Sequence, residues 1–225
     1  MCGRFTIVFE PELLIRRFGV NEIPFEWRAL YNAAPGQKIP AIIEDKGERR
    51  LGQLKWGLVP FWAKDEKIGY KMINAKSETI QEKTAFKNLF VRKRCIIPAD
   101  GFYEWKKVGK AKQPMRIMMK SGEPFAFAGL FDSWTSPEGE KVHTCTIITT
   151  QPNGVVSDIH DRMPVILREQ DEHLWLDRDQ FNADMLQSLL VPYDESKMRA
   201  YPVSAMVGSP KNDNVECIKE ISDPA

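Results

Sequence analysis

The chain has 225 residues, 43% hydrophobic and 28% charged, the profile of a soluble globular protein large enough to bury a sizeable core. Lysine and arginine number 32 against 31 aspartate and glutamate, a formal charge of +1, which excludes a globally basic nucleic-acid coat but not a local basic face. The longest charge-free apolar run, residues 124–131, is too short to span a bilayer, and residues 1–5 lack the basic-then-apolar order of a secretory signal. A cytoplasmic protein with no membrane partner is therefore expected, nucleoid-associated if the source is bacterial.

In chain order, a short strand over residues 5–9 leads to a helix from Pro11 with Leu14 and Phe18 on one face. Residues 20–37 read as loop. Strands at 38–44 and 49–55 flank Asp45-Lys46-Gly47, a hairpin signal. Residues 56–76 read as irregular and rich in Trp, Gly and Lys, and a short helix is expected near 77–89. Strand-like runs follow at 94–98, 101–106, 114–119, 125–130 and 142–149, with turns at Gly109, Ser121-Gly122 and Pro137-Glu138-Gly139. Short helices are expected at 153–158, 170–177 and 181–190. Many short strands with few helices predict an α+β fold, a single domain over residues 1–225 built on a curved, mostly antiparallel β-sheet or barrel with short flanking helices.

Charge is unevenly placed. Residues 87–120 carry ten Lys or Arg and two acids, whereas residues 151–225 carry seven basic residues and fourteen acids. Two solvated faces and a cationic groove for a phosphate backbone both account for this. Of the four cysteines, Cys95 and Cys145 read as core thiols, Cys217 carries no signal, and no C-x-x-C pair exists. His143 and Cys145 supply too few ligands for zinc, so neither a metal nor another cofactor is expected.

Cys2 is the sharpest feature. Trimming of Met1 would leave a 1,2-aminothiol: an α-amine of reference pKa ~7.7–8.0 against ~10.4 for lysine, beside a thiol of ~8.5 that a cation such as Arg4 would lower. Such a pair condenses with an aldehyde to an imine and then closes a five-membered thiazolidine. A cysteine that merely happens to stand second is the competing explanation.

Further motifs occur in register. They are Tyr31-Asn32-Ala33-Ala34-Pro35-Gly36-Gln37, Trp56-Gly57-Leu58-Val59-Pro60-Phe61-Trp62, Asn74-Ala75-Lys76-Ser77-Glu78, Pro98-Ala99-Asp100-Gly101-Phe102-Tyr103-Glu104-Trp105, His160-Asp161-Arg162-Met163-Pro164, and Pro202-Val203-Ser204 with Val207-Gly208. With Met1-Cys2-Gly3-Arg4-Phe5 the series resembles the SOS-response-associated peptidase (SRAP) family from residue 1 to about 214. The resemblance implies that the chain processes abasic sites in single-stranded DNA. It also implies a catalytic set of Cys2 as nucleophile, Asn74, Glu104 and His160, and self-removal of Met1. One departure is Lys76, where the family has Arg: the charge stays but the planar fork that grips a phosphate at two points is lost.

The residue types suit this chemistry. Opening an abasic sugar and passing through an imine need proton transfers, which a carboxylate and an imidazole supply. Glu104 is assigned to sugar opening and the transfers around the imine, and His160 to a second acid/base or hydrogen-bonding role near the 3′ phosphate. Asn74 is assigned to holding the α-amine or a sugar hydroxyl. Each also has an ordinary explanation: pairing of Glu104 with lysines, capping of a helix near 77 by Asn74, pairing of His160 with Asp161. Arg4, Lys76 and Arg162 are expected to place phosphates. Among the aromatics near basic segments (Trp56, Phe61, Trp62, Trp105), Trp62 and Trp105 are the expected base-stacking contacts, worth roughly 1–3 kcal/mol each. The expected partner is single-stranded DNA containing abasic sites, bound by a monomer. The alternatives are an N-terminal-nucleophile amidase of the glutamine amidotransferase kind, with Asn153-Gly154 as oxyanion hole, and a non-covalent single-strand reader.

Overall fold

Pro11 opens the first helix, α1 (Pro11–Phe18), where its missing N–H costs no hydrogen bond, and Gly19 closes it in the left-handed region (φ 63°), its N–H reaching the Ile15 carbonyl. Leu14 and Phe18 face inward. The computed structural model describes residues 2–222.

The strands before the first long hairpin are short: β1 (Phe5–Ile7) and β2 (Leu30–Ala33). β3 (Lys38–Asp45) and β4 (Glu48–Trp56) then pair over their full length. Lys46 and Gly47 both take positive φ, which a two-residue hairpin turn matched to strand twist requires. β5 (Asn74–Lys76) and α2 (Lys87–Arg92) precede β6 (Arg94–Ala99), β7 (Gly101–Val108), β8 (Ala111–Met119), β9 (Phe125–Thr135) and β10 (Lys141–Thr150). The last part of the chain holds α3 (Gly154–Ser157), the two-residue strands β11 (Met163–Pro164) and β12 (Ile166–Leu167), α4 (Glu172–Leu176), α5 (Ala183–Ser188) and β13 (Met198–Pro202).

These elements form the expected α+β barrel. The ring β10-β4-β3-β6-β9 closes on itself because β9 also pairs with β10, and its single parallel contact is β10 with β4. Closure removes the exposed sheet edges that favour aggregation. A second sheet runs β13-β8-β7-β1-β2. Alternating residues of the barrel strands feed two cores. Ala41, Cys95, Phe127, Cys145 and Ile147 pack with Phe5, Phe102 and Ile117 of the second sheet. Ile42, Ile96, Ala128 and Ile148 pack with Phe18, Phe90 and Trp175 of the helices. Gly129 sits in the barrel wall with no room for a side chain: a Cβ there would stand 2.9 Å from Cys95 Sγ and 3.0 Å from the Thr146 carbonyl oxygen. Gly129→Ala is expected to lower the urea unfolding free energy by roughly 1–3 kcal/mol through overpacking.

Several segments differ from their sequence pattern, among them β5, which lies in the stretch 56–76 read as irregular. The helix expected near 77–89 is a 3-10 turn (Ser77–Thr79), further turns, and then α2. Ile80 and Phe86 both bury in the same core, yet six residues on a continuous helix would place them about 120° apart. β2 and β13 arise in stretches with no strand pattern. β2 forms because β1 pairs with it and the Asp213 carboxylate accepts the N–H groups of Tyr31 and Asn32. β13 forms as a rung on β8. Among the described residues, no helix is long and apolar enough to cross a membrane.

Candidate active site

Cys2 reaches the core through the ladder that follows it. Phe5 pairs with Phe102 and Thr6 with Gly101, and the Tyr103 N–H donates to the Arg4 carbonyl at 3.0 Å. Continued by two residues, that register lays the start of the chain beside Glu104. Cys2 is fully buried, and its Sγ lies 3.9 Å from the Arg4 carbonyl oxygen. Burial pushes the thiol well above its usual range, and the neighbouring Glu104 carboxylate adds to the shift. The expectation that Arg4 lowers the thiol is thus overturned. Its guanidinium turns away, donating to the carbonyls of Val207 (2.8 Å) and Gly208 and to Asn32 Oδ1.

Glu104 is 2% exposed on β7, opposite Met115 of β8. Burial pushes its carboxyl up to about 7. His160, in the turn after α3, brings Nε2 to 3.9 Å from Glu104 Oε2. The Arg162 N–H donates to His160 Nδ1 at 3.0 Å, so the neutral ring carries its proton on Nε2, facing Glu104. Asp161 Oδ1 stands 2.9 Å from the same Nδ1 and competes for it once the ring is protonated. Burial lowers the ring's basicity and favours the neutral form.

Asn74 begins β5, which runs parallel to β10 in the register Ile147–Asn74. Its Nδ2 donates weakly to the Ile147 carbonyl (3.4 Å), and its Oδ1 is buried with no hydrogen-bond partner among the described residues. Such an acceptor suits an N–H or O–H donor of a bound molecule. The helix-capping alternative fails, since the 3-10 turn after β5 starts at Ser77 with no side-chain cap. The two segments are tied together by Arg162, which grips Glu78 at two points (2.6 and 2.8 Å) and the Thr149 carbonyl at 2.7 Å. The sequence pattern missed Glu78 in this part, although it closes the Asn74-to-Glu78 motif.

The residues expected at the DNA surface are scattered in role. Arg162 is buried and committed to Glu78, and Arg4 to the backbone of 207–208. Lys76 is exposed, with no carboxylate at ion-pairing distance among the described residues. Trp105 is half-buried against Tyr103, Tyr201 and Val203. Trp56 is core. Trp62 and Phe61 are 49% and 71% exposed on a loop that also exposes Tyr70, an aromatic overlooked in the pattern. That loop is held by two glycines back to back: a Cβ on Gly57, whose φ is 126°, would meet the Gly69 carbonyl oxygen at 2.7 Å. Of the basic run 87–120, Arg94 and Arg116 are buried. Arg94 serves backbone carbonyls, and Arg116 pairs with Asp100 at 3.0 Å. Lys107, Lys110 and Lys112 of that run are exposed on the β7–β8 hairpin, and Lys87, Arg92 and Lys120 are exposed elsewhere.

The oxyanion-hole alternative loses its donors. Asn153 Oδ1 caps α3 through the Val156 N–H, its Nδ2 donates to the Tyr193 carbonyl, and the Gly154 N–H is taken by Glu195. No cluster of three or more His, Cys, Asp or Glu side chains fit to hold a metal occurs among the described residues.

Burying a carboxylate has a stability cost that the site itself reveals. Because the folded carboxyl of Glu104 titrates above its unfolded value, its contribution is intact below pH ~4.5 and is lost as pH rises through about 7. Glu104→Gln is therefore expected to be more stable than the parent at pH 8, by roughly 1–3 kcal/mol, with the gap closing towards pH 4.5 in parallel thermal melts.

The start of the second sheet thus buries a thiol beside a perturbed carboxyl, with the half-buried His160 ring 3.9 Å from that carboxyl. The chain belongs to the SOS response associated peptidase (SRAP) family, whose model matches residues 1–210. It is 54% identical over 222 residues to the abasic site processing protein YoqW of Bacillus subtilis (strain 168), covering 97% of this chain and 99% of that protein. It is 34% identical to the abasic site processing protein HMCES of Gallus gallus, covering 98% and 78% respectively. A solved protein from Bacteroides thetaiotaomicron superposes with a TM-score of 0.86 at 28% identity, covering 98% of this chain and 100% of that one.

Proposed function

We propose that the chain processes abasic sites, and that it does so in single-stranded DNA by trapping the sugar aldehyde as a thiazolidine on Cys2 once Met1 has been removed. Abasic site processing is the activity in the names of its relatives. The observation that carries the chemical reading is the burial of the Cys2 thiol beside Glu104, with His160 at 3.9 Å from that carboxylate. Met1, whose hydrolytic removal by the chain itself belongs to the proposal, lies outside the described residues.

The steps balance. Protonated Glu104 donates to the ring oxygen as the C1′–O bond breaks, while the C1′ hydroxyl gives its proton to solvent, leaving the C1′ aldehyde and a Glu104 carboxylate. The Cys2 amine adds to C1′, and the carbinolamine loses one water to give an imine. The thiol sulfur adds to the imine carbon, and its proton ends on the nitrogen. A buried thiol held neutral must surrender that proton in the closing step, and a carboxyl titrating near neutrality is suited to relay it. Asn74 Oδ1 accepts from the amine or a sugar hydroxyl, filling its empty hydrogen-bonding position. His160, with its proton on Nε2, hydrogen-bonds near the sugar and 3′ phosphate. Exposed Phe61 and Trp62 offer unpaired bases a stacking face.

The test is to mix the processed protein with single-stranded DNA bearing one abasic site and run a denaturing gel with intact mass. The expected product survives heat and has the summed mass less one water. Its absence would overturn the reading.

A further inference from the structure

The β7–β8 hairpin outruns its neighbours. On one side, the pairing of β7 with β1 ends at Phe102, and the last bridging bond is the one from Tyr103 to Arg4. On the other, β8 meets β13 no further out than Met115, with Val203 touching the Pro114 carbonyl and Gln113. Residues 106–112 therefore stand as a bare two-stranded ribbon, a structure of marginal stability by itself. Lys106, Lys107, Lys110 and Lys112 lie on it, and none has a carboxylate within ion-pairing distance among the described residues. Lys107 and Lys112 are directly opposite each other across the ladder. Like charges so placed repel, an arrangement that an anion laid across both would turn to advantage. The ribbon springs from the strand that carries Glu104, and Lys112 stands near enough to His160 to disfavour its protonation.

We propose that this hairpin is an arm that grips two or three consecutive phosphates of the single-stranded DNA flank leaving the site past His160. The assignment rests on the reading of the function above and adds a contact surface to it. Continuity with the site and unopposed positive charge select the phosphate backbone rather than bases as the occupant. A salt-dependent gain in affinity without sequence preference follows.

The arm is tested with the triple variant Lys107→Gln/Lys110→Gln/Lys112→Gln and single-stranded DNA containing a tetrahydrofuran abasic analogue. The analogue lacks the aldehyde, so binding is read apart from chemistry. The salt dependence of binding (log K against log salt) is expected to become shallower by about 1.4–2, since each of the two or three single-strand phosphate contacts contributes ~0.7. Trimming the flank on one side should weaken the parent protein and leave the variant unaffected, and the triple Lys→Arg variant should behave as the parent. Lys110→Glu alone, at the turn, keeps the test valid if the triple variant folds poorly. An unchanged salt slope and unchanged flank dependence in both variants would overturn the arm. A parent protein that binds the analogue with the expected slope but forms no adduct on true abasic DNA would instead refute the thiazolidine reading and leave the arm standing.

Discussion

Cys2→Ala is expected to abolish the heat-stable adduct at every incubation time, because ring closure needs a thiol on the residue that bears the amine. Cys2→Ser should give no thiazolidine and at most an imine that borohydride can trap. The substitution is small and the site fully buried, so a thermal melt beside the gel separates loss of chemistry from loss of fold. Removing one buried sulfur costs about 1–2 kcal/mol by area, well short of the stability of an ordinary domain. An N-terminal extension that prevents exposure of the amine should be as damaging as the mutation, with the barrel intact. A stable adduct of full yield from Cys2→Ala would remove the thiol from the mechanism.

Glu104→Gln and His160→Ala are expected to slow adduct formation by roughly 10²–10⁴-fold while leaving the product mass unchanged. In the proposed reaction both groups move or hold protons and neither contributes an atom to the product, so long incubation should recover adduct. The pH profile separates them. In the proposed reaction protonated Glu104 is the acid of the sugar-opening step and is depleted as pH rises through about 7, whereas the amine gains neutral form as pH rises. The parent rate should therefore pass through a maximum, and Glu104→Gln should lose the alkaline decline. His160→Ala should keep that decline. If His160 assists reversal as well, its variant should release trapped DNA more slowly, because a catalyst of one step accelerates both directions. Parent-like rates in both variants would leave the 3.9 Å approach of these side chains without a part in the reaction.

Much of the barrel was legible in the chain. Local chemistry sets the long hairpin β3–β4, where Lys46-Gly47 supplies positive φ between alternating strands, and α1, where Pro11 and Gly19 mark the two ends. The ordered motifs, through their resemblance to the SRAP family, bring forward Cys2, Asn74, Glu104 and His160 as candidates for the proposed reaction. Non-local contact decides the rest. β2, β5 and β13 have too few residues to show a period and exist as rungs on β1, β10 and β8. Charge is equally opaque in one dimension. Arg4, Arg94, Arg116 and Arg162 look alike along the chain, yet tertiary structure assigns them to backbone carbonyls and carboxylates, while the hairpin lysines have no carboxylate at ion-pairing distance among the described residues. The thiol shows the same limit. A cation two residues away suggested a lowered pKa, but burial dominates, since removing water from a charged sulfur costs more than a guanidinium pointed elsewhere returns.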